Sequence, residues 1–187
     1  MKVLQSTRWR LVFLLVVLYL TGCIRSLHPL YTEEDLVFST DLIGTWIDNE
    51  DNIWTFVAAG ENSYSLIFSE EGEPAQFKSH LVKLGAYLFL DTYPEEPSIN
   101  NDFYNMHLIG AHLFAKMEIY PDSCIYTMMD HSWLENTLTG SNADLSYEKI
   151  DDAIILTANT KDLQAFFLEY ANNAQAFKDT SILRRQS

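Results

Sequence analysis

Several groupings of side chains in this chain carry chemistry in other settings, and each requires a geometry that can be tested on spacing. Asp130, His131 and Ser132 supply the three residue types of a nucleophilic triad. A triad needs hydroxyl, imidazole and carboxylate in line, which separated backbone positions provide and three adjacent residues do not. No G-x-S-x-G turn presents a serine elsewhere in the chain. His107 and His112 are five apart with His131 further on, and His80 and His112 fall on segments that can converge. No H-E-x-x-H and no paired C-x-x-C spacing accompanies them, so each histidine reads as a partly buried, hydrogen-bonded side chain. Asp48 to Asn52 (DNEDN) has the oxygen density that calcium requires, but an EF-hand loop would place Gly where Ile53 stands and Glu where Ala59 stands. Those acids read as a solvated hairpin turn. The expectation is a non-enzyme with no catalytic residues, no metal and no cofactor.

The other candidates are aromatic. Trp46, Trp54, Phe56, Tyr64, Phe68, Phe89 and Phe114 would line an apolar pocket for a small ligand if strands brought them together around a space; around no space they are a filled core. The elements that must position them are short runs rich in aromatic and β-branched residues, separated by turn chemistry at regular intervals, the pattern of an antiparallel all-β meander. Trp46-Ile47, residues 53–58, 64–69, 77–84, 87–93, 112–120 and 124–129 read as strands, with Gly85-Ala86 as a two-residue hairpin turn. Residues 130–138 read as a short helix capped by Asp130 and stopped near Gly140, and residues 145–149 and 153–158 as a last hairpin. Leu163, Phe166, Phe167, Tyr170, Ala171, Ala174 and Phe177 fall on one helical face, which predicts a C-terminal helix over 160–178, capped by Asn159 and packed on the sheet. In residues 53–58 Trp54 and Phe56 point one way, and Ile53 and Val57 the other. Both rows are apolar, so the second must meet the helix, close into a barrel or line a cavity.

The start of the chain has a different character. Lys2, Arg8 and Arg10 precede the apolar run Leu11 to Leu20 (LVFLLVVLYL), which is too short to span a bilayer of roughly 20 apolar residues' thickness and has the layout of a secretory signal. Removing residues 1–22 leaves 165 residues, enough for one domain with a real core. The whole chain carries 12 Lys+Arg against 26 Asp+Glu, net −14, and loss of the three signal cations takes this to −17. Such a surface repels nucleic acid phosphates and anionic headgroups, which excludes nucleic acid as a partner. Residues 23–40 read as a tether that becomes ordered as it reaches a single β-rich domain over 41–187.

The stretch LTGC (Leu20 to Cys23) that closes the apolar run resembles the lipobox of bacterial lipoproteins. The resemblance implies that the sulfur of Cys23 carries a diacylglycerol and, with acylation such as palmitate, holds the mature chain at a membrane. Ile24 after that cysteine implies the outer membrane, facing the periplasm, in a host with two membranes. Lipid on Cys23 leaves Cys124 alone and allows no intramolecular disulfide; Cys124, in the apolar run CIYTMM, reads as a small buried hydrophobe.

Gly44-Thr45-Trp46 resembles the Gly-x-Trp signature of lipocalins and related calycin barrels. That resemblance implies an antiparallel barrel of roughly eight strands whose base is closed by the Trp, with a helix after the last strand. The family also stacks an Arg near the last strand on the Trp; residues 153–158 contain none, and Arg184 and Arg185 follow the expected helix. A strongly bent open sheet wrapped on the C-terminal helix is the alternative fold. Over most of the mature chain, the segments at 27–38, 42–46, 80–96, 111–119 and 155–171 resemble recurring blocks of uncharacterised bacterial lipoproteins. Two functions are expected from these observations: a membrane-anchored binding module for a small apolar ligand, or an envelope structural or protein-interaction module.

Overall fold

The structure is a computed structural model that describes residues 24–95, 101–140 and 143–186. The signal segment and Cys23 lie outside the described residues, as do residues 96–100 of the loop between Pro94 and Asp102.

Eight strands form a closed antiparallel barrel. They are β3 (Gly44–Ile47), β4 (Ile53–Ala58), β5 (Tyr64–Glu70), β6 (Glu73–Leu84), β7 (Tyr87–Pro94), β8 (Leu113–Ile119), β9 (Ser123–Met128) and β12 (Thr180–Arg185). Each pairs with the next, β6 pairs with both β5 and β7, and β12 lies between β9 and β3 to complete the circuit. Closure leaves the barrel without a free edge. The hairpins turn where the sequence expects them: Leu84 pairs with Tyr87 across Gly85-Ala86, and Gly85 takes φ +59°, the left-handed conformation such a turn requires.

The chain leaves the barrel after Met128 and returns at Thr180. The excursion holds α2 (His131–Thr139), the hairpin β10 (Tyr147–Ile150) and β11 (Ala153–Leu156), and α3 (Thr160–Tyr170). Asp130 caps α2 by accepting from Trp133 N at 2.7 Å, and Asn159 caps α3 by accepting from Asp162 N at 3.1 Å. Leu163, Phe166 and Phe167 of α3 are buried against the outer wall of the barrel, where Phe167 meets Phe114 and Phe89 edge-on at 5.3 and 5.9 Å. Lys116 on that wall donates to Ala171 O at 3.0 Å, a cation at the negative end of α3.

Three expectations are corrected here. The C-terminal helix does not run to residue 178: the Asn173 side chain accepts from Gln175 N and Ala176 N and starts a new turn. Ala174 is exposed, while Phe177 is buried from a non-helical segment. Residues 180–185 are the barrel's last strand, whereas the β10–β11 hairpin belongs to a separate three-stranded sheet with β1 (Arg25–Ser26). The segment read as a tether is ordered from Ile24 onward: Leu30 is fully buried, and β2 (Leu36–Val37) pairs with β6. Of the outcomes open to the second apolar row of residues 53–58, closure into a barrel is the one found, with Ile53 and Val57 left on its outer face, 39% and 48% exposed.

Candidate functional site

Strand pairing fixes which side chains enter the barrel, because directly opposed residues share a face. Trp46 faces Trp54, Trp54 faces Phe68, Phe56 faces Leu66, and Leu66 faces Phe77. Continuing round, Leu81 faces Leu90, Leu90 faces Ala115, Met117 faces Tyr126, Cys124 faces Leu183, and Arg185 faces Trp46. These form the inward row.

The two ends of that interior differ. At the end nearest the start of β3, Trp46, Phe56 and Tyr64 are fully buried with Leu42, Leu81 and Cys124. Trp46 Nε1 donates to Leu42 O at 2.9 Å, and the Tyr64 hydroxyl bonds the backbone of Ser39 from both sides. Arg185 lies across the Trp46 ring with its guanidinium carbon 4.0 Å from the centroid, and donates to the carbonyls of Ile43, Asp41 and Pro121 at 2.8, 2.6 and 2.8 Å. An Arg therefore does stack on Trp46, and it comes from β12, the strand that follows α3 in the chain. Gly44 has φ +131°, and a Cβ on it would stand 2.6 Å from Arg185 Nη1, so both its conformation and its closeness to the guanidinium demand glycine.

At the opposite end the interior is hollow. A cavity of about 190 Å³, open toward solvent, is walled by Trp54, Leu66, Phe68, Phe77, Leu90, Thr92, Leu113, Ala115, Met117, Tyr126, Met128 and Leu183. Its few polar atoms are turned to the protein. Trp54 Nε1 donates to Asp48 Oδ2 at 3.0 Å, the Tyr126 hydroxyl is hydrogen-bonded to Ser181, and Thr92 Oγ1 reaches Leu113 O at 3.4 Å. Ser79 lies outside this cavity, opposite Tyr64 of the closed base. It is fully buried on the inward row between Phe77 and Leu81, and its Oγ has no partner among the described residues.

The DNEDN turn supports the rim of this opening. The buried Asp48 accepts from Glu50 N, Asn52 N, Asn52 Nδ2 and Trp54 Nε1 at 2.9 to 3.1 Å. Burial alone would raise its pKa, but these four donors outweigh it and hold the carboxyl below the ordinary aspartate value. Asp48 is thus a fastening for the indole at the mouth, with its oxygens already occupied.

The aromatic residues expected to line a pocket divide into three groups. Trp54 and Phe68 line the cavity; Trp46, Phe56 and Tyr64 point inward but fill the closed base. Phe89 points outward into the helix interface, and Phe114, although it borders the cavity wall from β8, packs its ring there too. Leu113, Ala115, Met117, Tyr126, Met128 and Leu183 are cavity residues that the sequence reading missed; two-residue alternation on strands 113–119 and 123–128 was the available signal.

The groupings considered for catalysis and metal are dispersed or used. Asp130 spends its carboxylate on Trp133 N and Lys178, not on His131. His112 Nδ1 is 2.7 Å from Asp91 Oδ1, while Asp91 Oδ2 accepts from Leu30 N at 2.8 Å, so the pair fastens the N-terminal segment to the outer wall. His80 packs on Tyr31 at 4.4 Å, and burial, with Lys78 nearby, lowers its pKa despite the opposing pull of Asp91. Among the described residues, no three His, Cys, Asp or Glu side chains converge in a way that would hold a metal ion. Cys124 is buried in the base, where desolvation pushes its thiol up to about 11.

No protein-family model, curated protein or solved structure matches the chain.

Proposed function

We propose that this chain is a lipoprotein of the bacterial envelope, anchored through Cys23, whose calycin-type barrel binds a small apolar ligand without catalysis. The observation that carries the reading is the asymmetry of the barrel interior: one end plugged by Trp46 under Arg185, the other hollow, apolar and open. A cavity of about 190 Å³ is somewhat larger than an apolar cavity of about 150 Å³ that takes up benzene, and smaller than the roughly 300 Å³ and above typical of drug-sized sites. It suits a compact apolar molecule or the end of an alkyl chain. Because the wall's own donors and acceptors are occupied, a strongly polar ligand would lose its hydration with nothing in return.

Ala115 provides the test, since its Cβ faces the space from the middle of the wall. Titration with benzene, followed by tryptophan emission, should give saturable binding in the native chain. Ala115→Phe fills the cavity and should weaken that binding at least tenfold with the fold retained. Unchanged binding in Ala115→Phe would place the benzene elsewhere and sink the reading. The anchor has its own test: Cys23→Ser blocks acylation and should release the processed domain from the membrane fraction.

A further inference from the structure

The open end of the barrel is also the end at which the described chain begins. Arg25, Phe77, Thr92, Pro94, Ile109 and Ala111 surround a recess that shares Phe77, Thr92 and Leu113 with the cavity wall, so the two adjoin. Ser26 bridges to His112, the residue before β8, which fixes the N-terminal segment at this rim. Arg25, which lines the recess, is two residues after Cys23 in the sequence.

The same rim carries the most exposed apolar side chains of the described residues. The segment from Asn101 to Gly110, including α1 (Asp102–Asn105), leaves Phe103 71% exposed, Met106 74% and Ile109 81%. The fold holds them outward. Asn101 Oδ1 accepts from Tyr104 N at 3.0 Å, the backbone closes a turn on itself from Asn105 N to Leu108 N, and His107 Nδ1 bonds Phe103 O at 2.7 Å. Gly110 then passes so close to Tyr93 that a Cβ on it would lie 2.4 Å from the hydroxyl. Monomeric soluble domains seldom leave three large apolar side chains so exposed within seven residues without a covering surface.

We propose that this segment inserts into the interfacial layer of the membrane that Cys23 anchors to, so that the barrel mouth faces the bilayer and the cavity exchanges an alkyl chain with it. The inference rests on the lipoprotein reading above. The occupant is a lipid surface because three features meet on one rim: the segment that directly follows Cys23 in the sequence, the exposed apolar side chains and the mouth of the apolar cavity. Interfacial side chains of this kind bury about 5–10 Å into the headgroup boundary. The net charge of the domain opposes anionic headgroups, so insertion is apolar and weakens as anionic lipid is added.

The test uses the full chain, processed in cells and reconstituted into phosphatidylcholine vesicles containing lipid with a spin label near the headgroup. A fluorophore is placed at Met106→Cys or at Glu61→Cys, the latter in the β4–β5 turn at the plugged end; Cys124 is buried and does not compete for label. Quenching at 106 should exceed that at 61 at least threefold, and the triple change Phe103→Ser, Met106→Ser, Ile109→Ser, labelled instead at Leu108→Cys, should abolish the excess. Mass spectrometry of the same sample separates the two readings. An acylated Cys23 with 106 quenched no more than 61 overturns the orientation and leaves the anchor standing. A chain with no acyl mass on Cys23 overturns the anchor and the orientation with it. Crosslinks from 106 to a protein in cells, without lipid quenching, also overturn it in favour of a protein partner.

Discussion

Arg185→Ala should cost about 3 kcal/mol, and the reason is local enough to test piece by piece. The side chain donates to three carbonyls and lies over the Trp46 ring. Of the three hydrogen bonds, the one to Ile43 O is partly buried and, being charge-assisted, contributes about 1.5–3 kcal/mol. The other two are solvent-exposed and contribute about 0.5 kcal/mol each, while a partly screened cation over an indole adds about 1 kcal/mol. The sum, discounted for non-additivity, is about 3 kcal/mol, which for a domain of this size lowers Tm by about 6–12 °C. Arg185→Lys keeps the charge but not the fork, and should lose about 2 kcal/mol. Urea unfolding followed by tryptophan emission is the assay, with a fall in midpoint at unchanged slope as the expected form. Gly44 supplies the internal control. Gly44→Ala carries a backbone penalty of about 1–3 kcal/mol at φ +131° and displaces Nη1, 2.6 Å away. In the Arg185→Ala background only the backbone term survives, so the double variant should be less unstable than the sum by about 1 kcal/mol or more. If Arg185→Ala falls within 0.5 kcal/mol of the native chain, or if the two changes add, the latch does not hold the base.

Asp48→Asn should be less stable than the native chain by about 1–2 kcal/mol at pH 7, since an amide accepts less well from the four donors around it. The folded-state pKa lies below the unfolded value of about 3.9, so this stabilisation is present above about pH 4 and lost as pH falls through the folded value. The gap between the two proteins, read from urea midpoints at pH 7, 4 and 3, should narrow on the acid side; a constant gap would refute the assignment. In a Cys23→Ser chain, Cys124 should resist a thiol reagent at pH 8, because the thiol is fully buried and raised to about 11. Its modification should then follow unfolding across a denaturant series; rapid labelling in native buffer would show that the plugged base opens.

What could be read in advance depended on whether a signal was local. The Gly85-Ala86 turn and the Asp130 and Asn159 caps act within a few residues, and all three stand as the sequence implies. Strand β12 could not be read that way. TSILRR places Ser181, Leu183 and Arg185 inward, and an inward arginine makes sense only beside Trp46, more than a hundred residues earlier. Helix α3 ends sooner than the apolar spacing implies: Ala174 and Phe177 continue that spacing by coincidence, while Asn173 redirects the backbone. Phe89 differs from the expectation for another reason. Both rows of β7 are apolar, Leu88 and Leu90 inward, Tyr87 and Phe89 outward, and alternation alone does not say which row belongs to the barrel.

The cavity follows from where the large side chains stop. Eight strands enclose a space just wide enough for side chains to fill, and at the base Trp46, Phe56 and Tyr64 do fill it, with Arg185 sealing the outside. Toward the mouth the inward positions of β7, β8 and β12 turn to Thr92, Ala115 and Ser181, while Trp54 packs its ring on Phe68 and Tyr126 at 4.9 and 5.0 Å, so the rings gather on one side of the space. Small residues on one arc and rings on the other therefore set the volume, while the Asp48 fastening of Trp54 sets the width of the entrance. The outer wall answers to a different constraint, since Phe89 and Phe114 leave the interior to bury the face of α3. The same helix holds the wall of β7 and β8 rigid on the side nearest Ala115, so a ligand that enters meets a preformed surface and pays little to order it.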